Sequence, residues 1–512
     1  MATPHERLAA SLSELEKLQK GGRRVFRSKE LTRLHRERLI KQGFIREVIK
    51  GWLIYSSPTA EPGDSTPWYA SFWQFCASYC EDRFGDQWYL SPEQSLLLHA
   101  ENTVIPPQVV VYSPKGTNNT VELLFGTSIY DLKQRQMPPA ADITLKDGLR
   151  IFTPEAALIR VPEAFFTRNP LEGQIVLGGL RDVRDLLGRL LDGGHSAVAG
   201  RLAAAFRRIG RADVADEIVS ALKAAGYDVR ESDPFTPRIS VVNVGQRVAP
   251  LTARLQALWG STREAVIELF PEAPGLPKNR EAYLRFVDEI YKSDAYHSLS
   301  IEGYQVTPEL IEKVRTGAWN PDGDDGDRDN RNTLAARGYW QAFQLVKESV
   351  SKIIGGQKPG PVVGAAHGNW YRELFQPSVA AGLIKASALA GYRNHPVYLR
   401  GSRYVPPRWE AVRDAMPTLF DLIEAEDNPG IRAVLSHWLF GYIHPYPDGN
   451  GRMARFLMNA MLASGGYPWT VIRVEDRSEY LASLDSASVD GDIRPFARFI
   501  GERVQWSLER AA

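Results

Sequence analysis

The chain has two cysteines in 512 residues, Cys76 and Cys80. So few exclude a disulfide scaffold and predict a reducing, cytoplasmic setting. Three residues separate them, not the two of a zinc knuckle, so two packed thiols are expected. No run of eighteen apolar residues occurs, which predicts no membrane-spanning helix. The stretch after Met1 has no apolar core of a secretory signal. The formal net charge is +1, so the chain as a whole is not an electrostatic nucleic-acid binder. No internal repeat is visible. The one low-complexity piece, Asp322–Asp329, lacks EF-hand spacing and reads as a solvated loop. What is present is ordinary for a globular protein: 44% apolar and 24% charged residues. The length allows about three domains.

One stretch concentrates chemistry: His444-Pro-Tyr-Pro-Asp-Gly-Asn-Gly-Arg-Met-Ala-Arg455. The apolar run Ile431–Ile443 before it and Met453–Leu462 after it read as buried helices, the second ended by Gly465-Gly466. The prolines and Gly449 suit a tight loop between them. The second helix then begins near Asn450-Gly451, so its free N–H groups and positive dipole end form an anion site. Gly449 and Gly451 allow close backbone approach to a phosphate. Arg452 and Arg455 share a helix face beside it and suit a polyphosphate. Asp448 is unfavourable there unless a divalent cation intervenes. His444 can take a proton from an attacking hydroxyl. Taken singly these pieces have plainer explanations: a capped helix end, a turn, a solvated arginine face. Together they read as nucleotidyl or phosphoryl transfer.

The stretch resembles the signature of the Fic family, His-x-Phe-x-(Asp/Glu)-Gly-Asn-Gly-Arg-x-x-Arg, with Tyr446 in place of Phe. The resemblance implies an all-helical domain that transfers AMP from ATP to a protein hydroxyl. It makes His444 the general base and Asp448 the Mg²⁺ ligand. It has Gly449, Asn450 and Gly451 cradle the α-phosphate, and Arg452 and Arg455 grip the outer phosphates. Upstream, Ser298-Leu-Ser-Ile-Glu-Gly303 resembles the family's inhibitory signature (Ser/Thr)-x-x-x-Glu-(Gly/Asn). By that resemblance Glu302, with Ser298 and Gly303, pairs with Arg455 and blocks productive ATP. A helix cap is the plainer reading of those six residues. Val397, Tyr398, Leu399 and Arg400 open an alternating stretch to Pro407 that predicts a β-hairpin, at the place of the family's flap. Its strand edge would hold an extended target segment.

The first half differs in character. Between Met1 and Lys50 stand 13 Lys/Arg and 6 Asp/Glu, a surplus of seven positive charges. Helices are predicted over Pro4–Lys20 and Ser28–Gln42, then a hairpin over Phe44–Tyr55 turning at Lys50-Gly51. This resembles a winged helix-turn-helix, in which Arg33, Arg36, Arg38 and Lys41 would face DNA. A helical module with a solvated basic face is the alternative. Residues 58–191 read as α+β: an aromatic helix over Trp68–Phe84, strands at Val109–Tyr112, Thr120–Phe125, Ile143–Leu145 and Leu149–Phe152, and a hairpin turn at Gly116–Asn119. Trp88–His99 and Thr153–Leu158 in this setting are similar to the body of abortive-infection antitoxins, of the toxin-antitoxin class. Residues 192–238 read as helical connectors, and Asp233–Pro237 as the boundary.

The expected architecture is therefore multidomain. A winged-helix-like module (1–57), an α+β domain (58–191) and a connector (192–238) precede an all-α Fic catalytic domain with a β-hairpin flap (239–512). The expected activity is autoinhibited transfer of AMP to a Ser, Thr or Tyr hydroxyl of a target protein, with ATP as substrate and Mg²⁺. Three alternatives stay open: another nucleotide donor, removal of AMP with Glu302 positioning a water, and a DNA-binding repressor with a nucleotide-sensing C-terminal half. The sequence implies no membrane partner and leaves the oligomeric state open.

Overall fold

The computed structural model describes residues 3–59, 63–235, 249–317 and 331–511. The acidic stretch Asp322–Asp329 and the end of the Asp233–Pro237 boundary lie outside these residues. The chain divides into two compact units: Met1–Pro250 with Tyr398–Val405, and Leu251–Val397 with Pro406–Ala512.

In the first unit, helices α1 (Pro4–Leu18) and α2 (Arg33–Lys41) accompany strands β1 (Val25–Arg27), β2 (Ile45–Ile49) and β3 (Trp52–Tyr55). The sheet order is β1-β3-β2. Leu15, Phe26, Leu31, Leu39, Ile45 and Leu53 form its core. The predicted hairpin turns at Gly51, whose φ of 87° suits glycine. The helix predicted from Ser28 begins instead at Thr32, whose hydroxyl accepts the His35 N–H. Ser28–Glu30 is a single 3₁₀ turn.

Next come α3 (Phe72–Phe84) and a four-stranded sheet of β4 (Tyr89–Leu90), β5 (Gln108–Ser113), β6 (Asn119–Glu122) and β7 (Ser128–Lys133), in the order β4-β5-β7-β6. The expected hairpin turn at Gly116–Asn119 is not one, because β7 lies between β5 and β6 and pairs in parallel with β5. The buried carboxylate of Asp131 on β7 explains this. It accepts the N–H groups of Thr117 (2.6 Å) and Asn119 (3.3 Å), and Arg83 donates to it at 2.9 Å. The loop is thereby drawn onto β7. Strands β8 (Ile143–Lys146) and β9 (Leu149–Phe152) pair as a hairpin. Helices α4 (Ser196–Arg208) and α5 (Ala212–Ala224) follow at the expected places. Cys76 and Cys80 lie on α3 inside the aromatic core, and burial pushes both thiols' pKa values up.

The second unit is helical: α6 (Pro250–Leu269), α7 (Arg280–Ile301), α8 (Arg331–Ile354), α9 (Pro359–Ala380), α10 (Val412–Ala425), α11 (Pro429–Ile443), α12 (Asn450–Ala463) and α13 (Arg494–Ala511) are its longer elements. The sequence pattern predicts two helices, Leu251–Leu258 and Ser261–Leu269; the structure has one, continuous through Gly260. The sequence pattern predicts a helix over Asn279–Asp294; α7 runs on to Ile301. The expected β-hairpin flap is absent, and no strand occurs among the described residues of this unit. Ser402 N–H closes a turn on Leu399 O at 3.3 Å. Gly401 and Arg403 bond within the first unit. Ile105 N–H donates to Arg403 O (2.9 Å), the Arg403 guanidinium donates to Ile105 O (3.1 Å), and Gly401 N–H donates to Ser65 Oγ (3.2 Å). Tyr404 is buried, 1% exposed, and no strand pairing accompanies the alternation in the sequence.

Candidate active site

Helices α11 and α12 form a hairpin whose loop is the motif. The loop is stapled from inside. Asn450 accepts the Tyr446 N–H (2.9 Å) and donates to Tyr446 O (2.7 Å). Both ends of its amide are thus engaged in the loop. Tyr446 is buried and stacks on Tyr371 at 3.8 Å between centroids, the packing expected of the family's Phe. Gly449 has φ 80°, and a Cβ there would lie 2.7 Å from Phe375 Cε2. Only glycine fits that approach.

His444 caps α11 in the left-handed region, at φ 51° and ψ 60°. Its Nδ1 lies 3.3 Å from Gly441 O. A carbonyl can only accept, so this contact puts the proton on Nδ1 and leaves the Nε2 lone pair for a base. Burial lowers the His444 pKa to about 4, so the ring is neutral at pH 7. Its backbone is held by Arg393, a residue that sequence reasoning missed. The Arg393 Nε donates to His444 O (2.7 Å), and Arg393 N–H donates to Pro445 O (2.8 Å). The same guanidinium donates to Pro407 O and, at 3.4 Å, to Ile443 O.

Asp448 stands at the loop tip with its side chain 62% exposed, 3.6 Å from the Arg452 guanidinium. Arg452 is 1% exposed and lies between the rings of Tyr304 (5.2 Å) and Phe375 (5.0 Å). Its Nε is buried without a hydrogen-bond partner. Among the described residues no group of three or more His, Cys, Asp or Glu could hold a metal. A lone exposed carboxylate beside an anion site fits an ion that arrives with phosphate ligands of its own.

The predicted inhibitory residues come together here. Arg455 donates from Nε to Ser298 Oγ (2.8 Å), and from Nη2 to Ser298 O (3.0 Å) and Glu302 Oε1 (2.7 Å). Glu302 is the C-cap of α7. Gly303 follows at φ 85°, its N–H on Ser300 O while Tyr304 N–H reaches Leu299 O. That is a Schellman ending, so the plain reading of Gly303 as a helix stop also holds. The ending aims Glu302 at the first turn of α12, where a Cβ on Gly451 would collide with Glu302 Oε1. The carboxylate therefore sits where a helix N-terminus and a guanidinium both attract an anion. Burial raises its pKa, but Arg455 and Arg452 outweigh burial and hold it below the usual value. Burial opposes the charge on Arg455 too, yet with Glu302 beside it the net shift is upward.

Of the four arginines and lysines proposed to face DNA, the structure engages two internally. Arg38 donates to Arg7 O (2.8 Å) and Ser11 Oγ (2.7 Å), and Arg36 to Ser28 O (3.2 Å). Arg33 and Lys41 are exposed, Arg33 pairing with Glu37 at 2.7 Å. No helix among the described residues is long and apolar enough to cross a membrane.

Residues 366–462 match the Fic/DOC family. Over 122 residues, 23% of its length, the chain is 40% identical to "Protein adenylyltransferase Fic" of Nematostella vectensis and 35% identical to "Protein adenylyltransferase fic-1" of Caenorhabditis elegans. The matched part makes up 28% and 23% of those relatives, so the chain spans about a quarter of their length. Among solved structures it is similar to residues 134–508 of Fic-1 from C. elegans. That likeness has a TM-score of 0.38 and 20% identity, and covers 70% of this chain and 90% of that one. A Fic-domain protein from Bacteroides thetaiotaomicron gives a TM-score of 0.35 at 21% identity, over 49% of this chain and 95% of that one. The stretch that matches the Fic/DOC family, residues 366–462, contains His444, the loop and both arginines.

Proposed function

We propose that the chain is a protein adenylyltransferase restrained by its own Glu302. The observation that carries this reading is the Glu302–Arg455 pair, 2.7 Å apart over the first turn of α12. ATP would place phosphates where Glu302 now sits, on the free N–H groups of α12 and the guanidiniums of Arg452 and Arg455. His444 Nε2 takes the proton of a Ser, Thr or Tyr hydroxyl on the target. That oxygen bonds to the α-phosphorus, the bond from the α-phosphorus to the α,β-bridging oxygen breaks, and pyrophosphate leaves. The helix N-terminus and Arg452 stabilise charge that builds on the phosphate oxygens. Asp448 is the residue that would hold Mg²⁺, which when bound neutralises phosphate charge. The neutral His444 favours an enzyme over a nucleotide sensor, since a sensor needs the arginines but no base.

The test is labelled ATP, GTP, UTP and CTP offered to the Glu302→Gly protein in a cell lysate. Label from α-³²P-ATP should enter protein well above the level in the Glu302→Gly, His444→Ala control, and label from γ-³²P-ATP should not differ between the two. His444→Ala in the same background should lower transfer at least a hundredfold with ATP affinity within a few-fold. Label from another nucleotide in preference to ATP would reassign the donor, and an active His444→Ala protein would remove the base.

A further inference from the structure

On the second unit a cleft of about 360 Å³ opens behind α7. Phe286, Ile290, Ser293 and His297 line one wall. They share one face of α7 at helical spacing, and the last of them, His297, adjoins Ser298 in sequence and lies five residues before Glu302. Trp469, buried against Phe343, lies on the apolar side. The mouth is cationic. Arg473 and Arg510 place their guanidinium carbons 4.7 and 3.6 Å from the Trp506 ring centroid. Neither guanidinium makes a hydrogen bond or ion pair to a described residue. The one acid at the mouth, Glu475, faces His297 at 3.8 Å. Apolar aromatic walls under two uncommitted guanidiniums recognise a ring and an anion together. The volume is at the lower end of small-molecule sites.

We propose that this cleft is an effector site for a small aromatic carboxylic acid, and that its occupation withdraws Glu302 from Arg455. The proposal rests on the inhibitory reading of Glu302. The acid's ring packs on Phe286, Ile290 and Trp469, and its carboxylate takes the forks of Arg473 and Arg510. A neutral aromatic lacks the second set of contacts and an inorganic anion lacks the first.

The coupling runs through two ties. Val474 N–H donates to His297 Nδ1 (3.2 Å), and Arg477 Nε donates to Ile301 O (2.8 Å). These hold the last turns of α7 to the segment 471–477. A ring entering between α7 and Val471–Arg473 separates the walls and breaks the tie to His297 first. The end of α7 then moves with Glu302 on it. Ligand and ATP favour the same open arrangement, so each raises the other's affinity by one factor.

The experiment uses 2-naphthoate as probe, titrated calorimetrically into the full chain. Saturable one-to-one binding is expected, at least tenfold weaker for uncharged 2-naphthylmethanol and for Arg473→Glu with Arg510→Glu. Saturating 2-naphthoate should raise the wild-type affinity for ATP at least fivefold and leave Glu302→Gly unchanged. Absence of saturable binding, binding indifferent to the charge reversals, or an unchanged wild-type ATP affinity would each overturn the proposal. ATP affinity is read by binding, so the result stands apart from transfer. A Glu302→Gly protein that binds ATP but transfers nothing would sink the adenylyltransferase reading and leave this test intact.

Discussion

His444 is kept neutral by its surroundings, and that has a measurable consequence. Its pKa, lowered by burial to about 4 from the usual 6.5, leaves the base fully available down to about pH 5. In the Glu302→Gly background, transfer should stay flat from pH 8 to about 5 and fall below that. An acid limb near 6.5 would mean an unshifted, solvated ring. The same shift costs stability in acid. The unfolded chain binds this proton from about pH 6.5 down and the folded chain does not until about 4, so the contribution turns unfavourable as pH falls through that window. Arg393 is the second prediction at this scale. It holds the carbonyl of a histidine in a backbone conformation that few non-glycine residues adopt. Arg393→Ala should lower kcat at least tenfold while ATP affinity, set by α12, stays within a few-fold. A loss confined to ATP affinity would show that it does not position the base. The motif residues were legible because a base, an acid, glycines and arginines fall within twelve positions. Arg393 was not, because its partners are backbone carbonyls about fifty residues away, and carbonyls carry no sequence mark.

At the scale of elements, α7 delivers Glu302 to Arg455. Its length was underestimated because the apolar period weakens after Asp294. The buried carboxyl of that residue accepts the Tyr339 hydroxyl at 2.6 Å. Helices α9 and α10 were hidden by Pro377 and Pro417, which argue against a helix interior. The absent flap hairpin shows the opposite failure, an alternating sequence with no strand pairing behind it. The prediction for α7 is Glu302→Gly. One charge-assisted contact to Arg455 is worth roughly 1.5–3 kcal/mol, so its loss should raise productive ATP binding by about one to two decades. Gly is compatible with the C-cap, so the helix should still end at 302. Arg455→Ala added to Glu302→Gly should abolish most of the gain. Equal transfer by Glu302→Gly and wild type across ATP concentrations would end the autoinhibition reading. Acid should not substitute for the mutation. The Glu302 pKa is held below its usual 4.5, so the pair is complete above that value and is lost only as pH falls through the lower one.

At the scale of the whole molecule, charge is unevenly distributed. The first fifty residues carry a surplus of seven positive charges while the chain totals +1, so the remainder carries a net of −6. A DNA-binding role therefore has to be local, and the structure narrows which residues could serve it. Arg36 and Arg38 bind carbonyls and a serine within the module, whereas Arg33 and Lys41 are exposed on α2. Arg33 gives up only a solvent-exposed pair with Glu37 to reach a phosphate, and such exposed pairs add little. If the full chain binds duplex DNA, each phosphate contact contributes about 0.9 to the slope of log affinity against log salt. Arg33→Ala with Lys41→Ala should then flatten that slope by nearly two and weaken binding evenly across sequences. Arg38→Ala should instead lower the thermal stability of the module, because it removes donors to Arg7 O and Ser11 Oγ, and should change the slope little. A slope unaffected by Arg33 and Lys41, or no binding by the wild type at 50 mM salt, would leave residues 1–57 as a protein-contacting module with a solvated basic face.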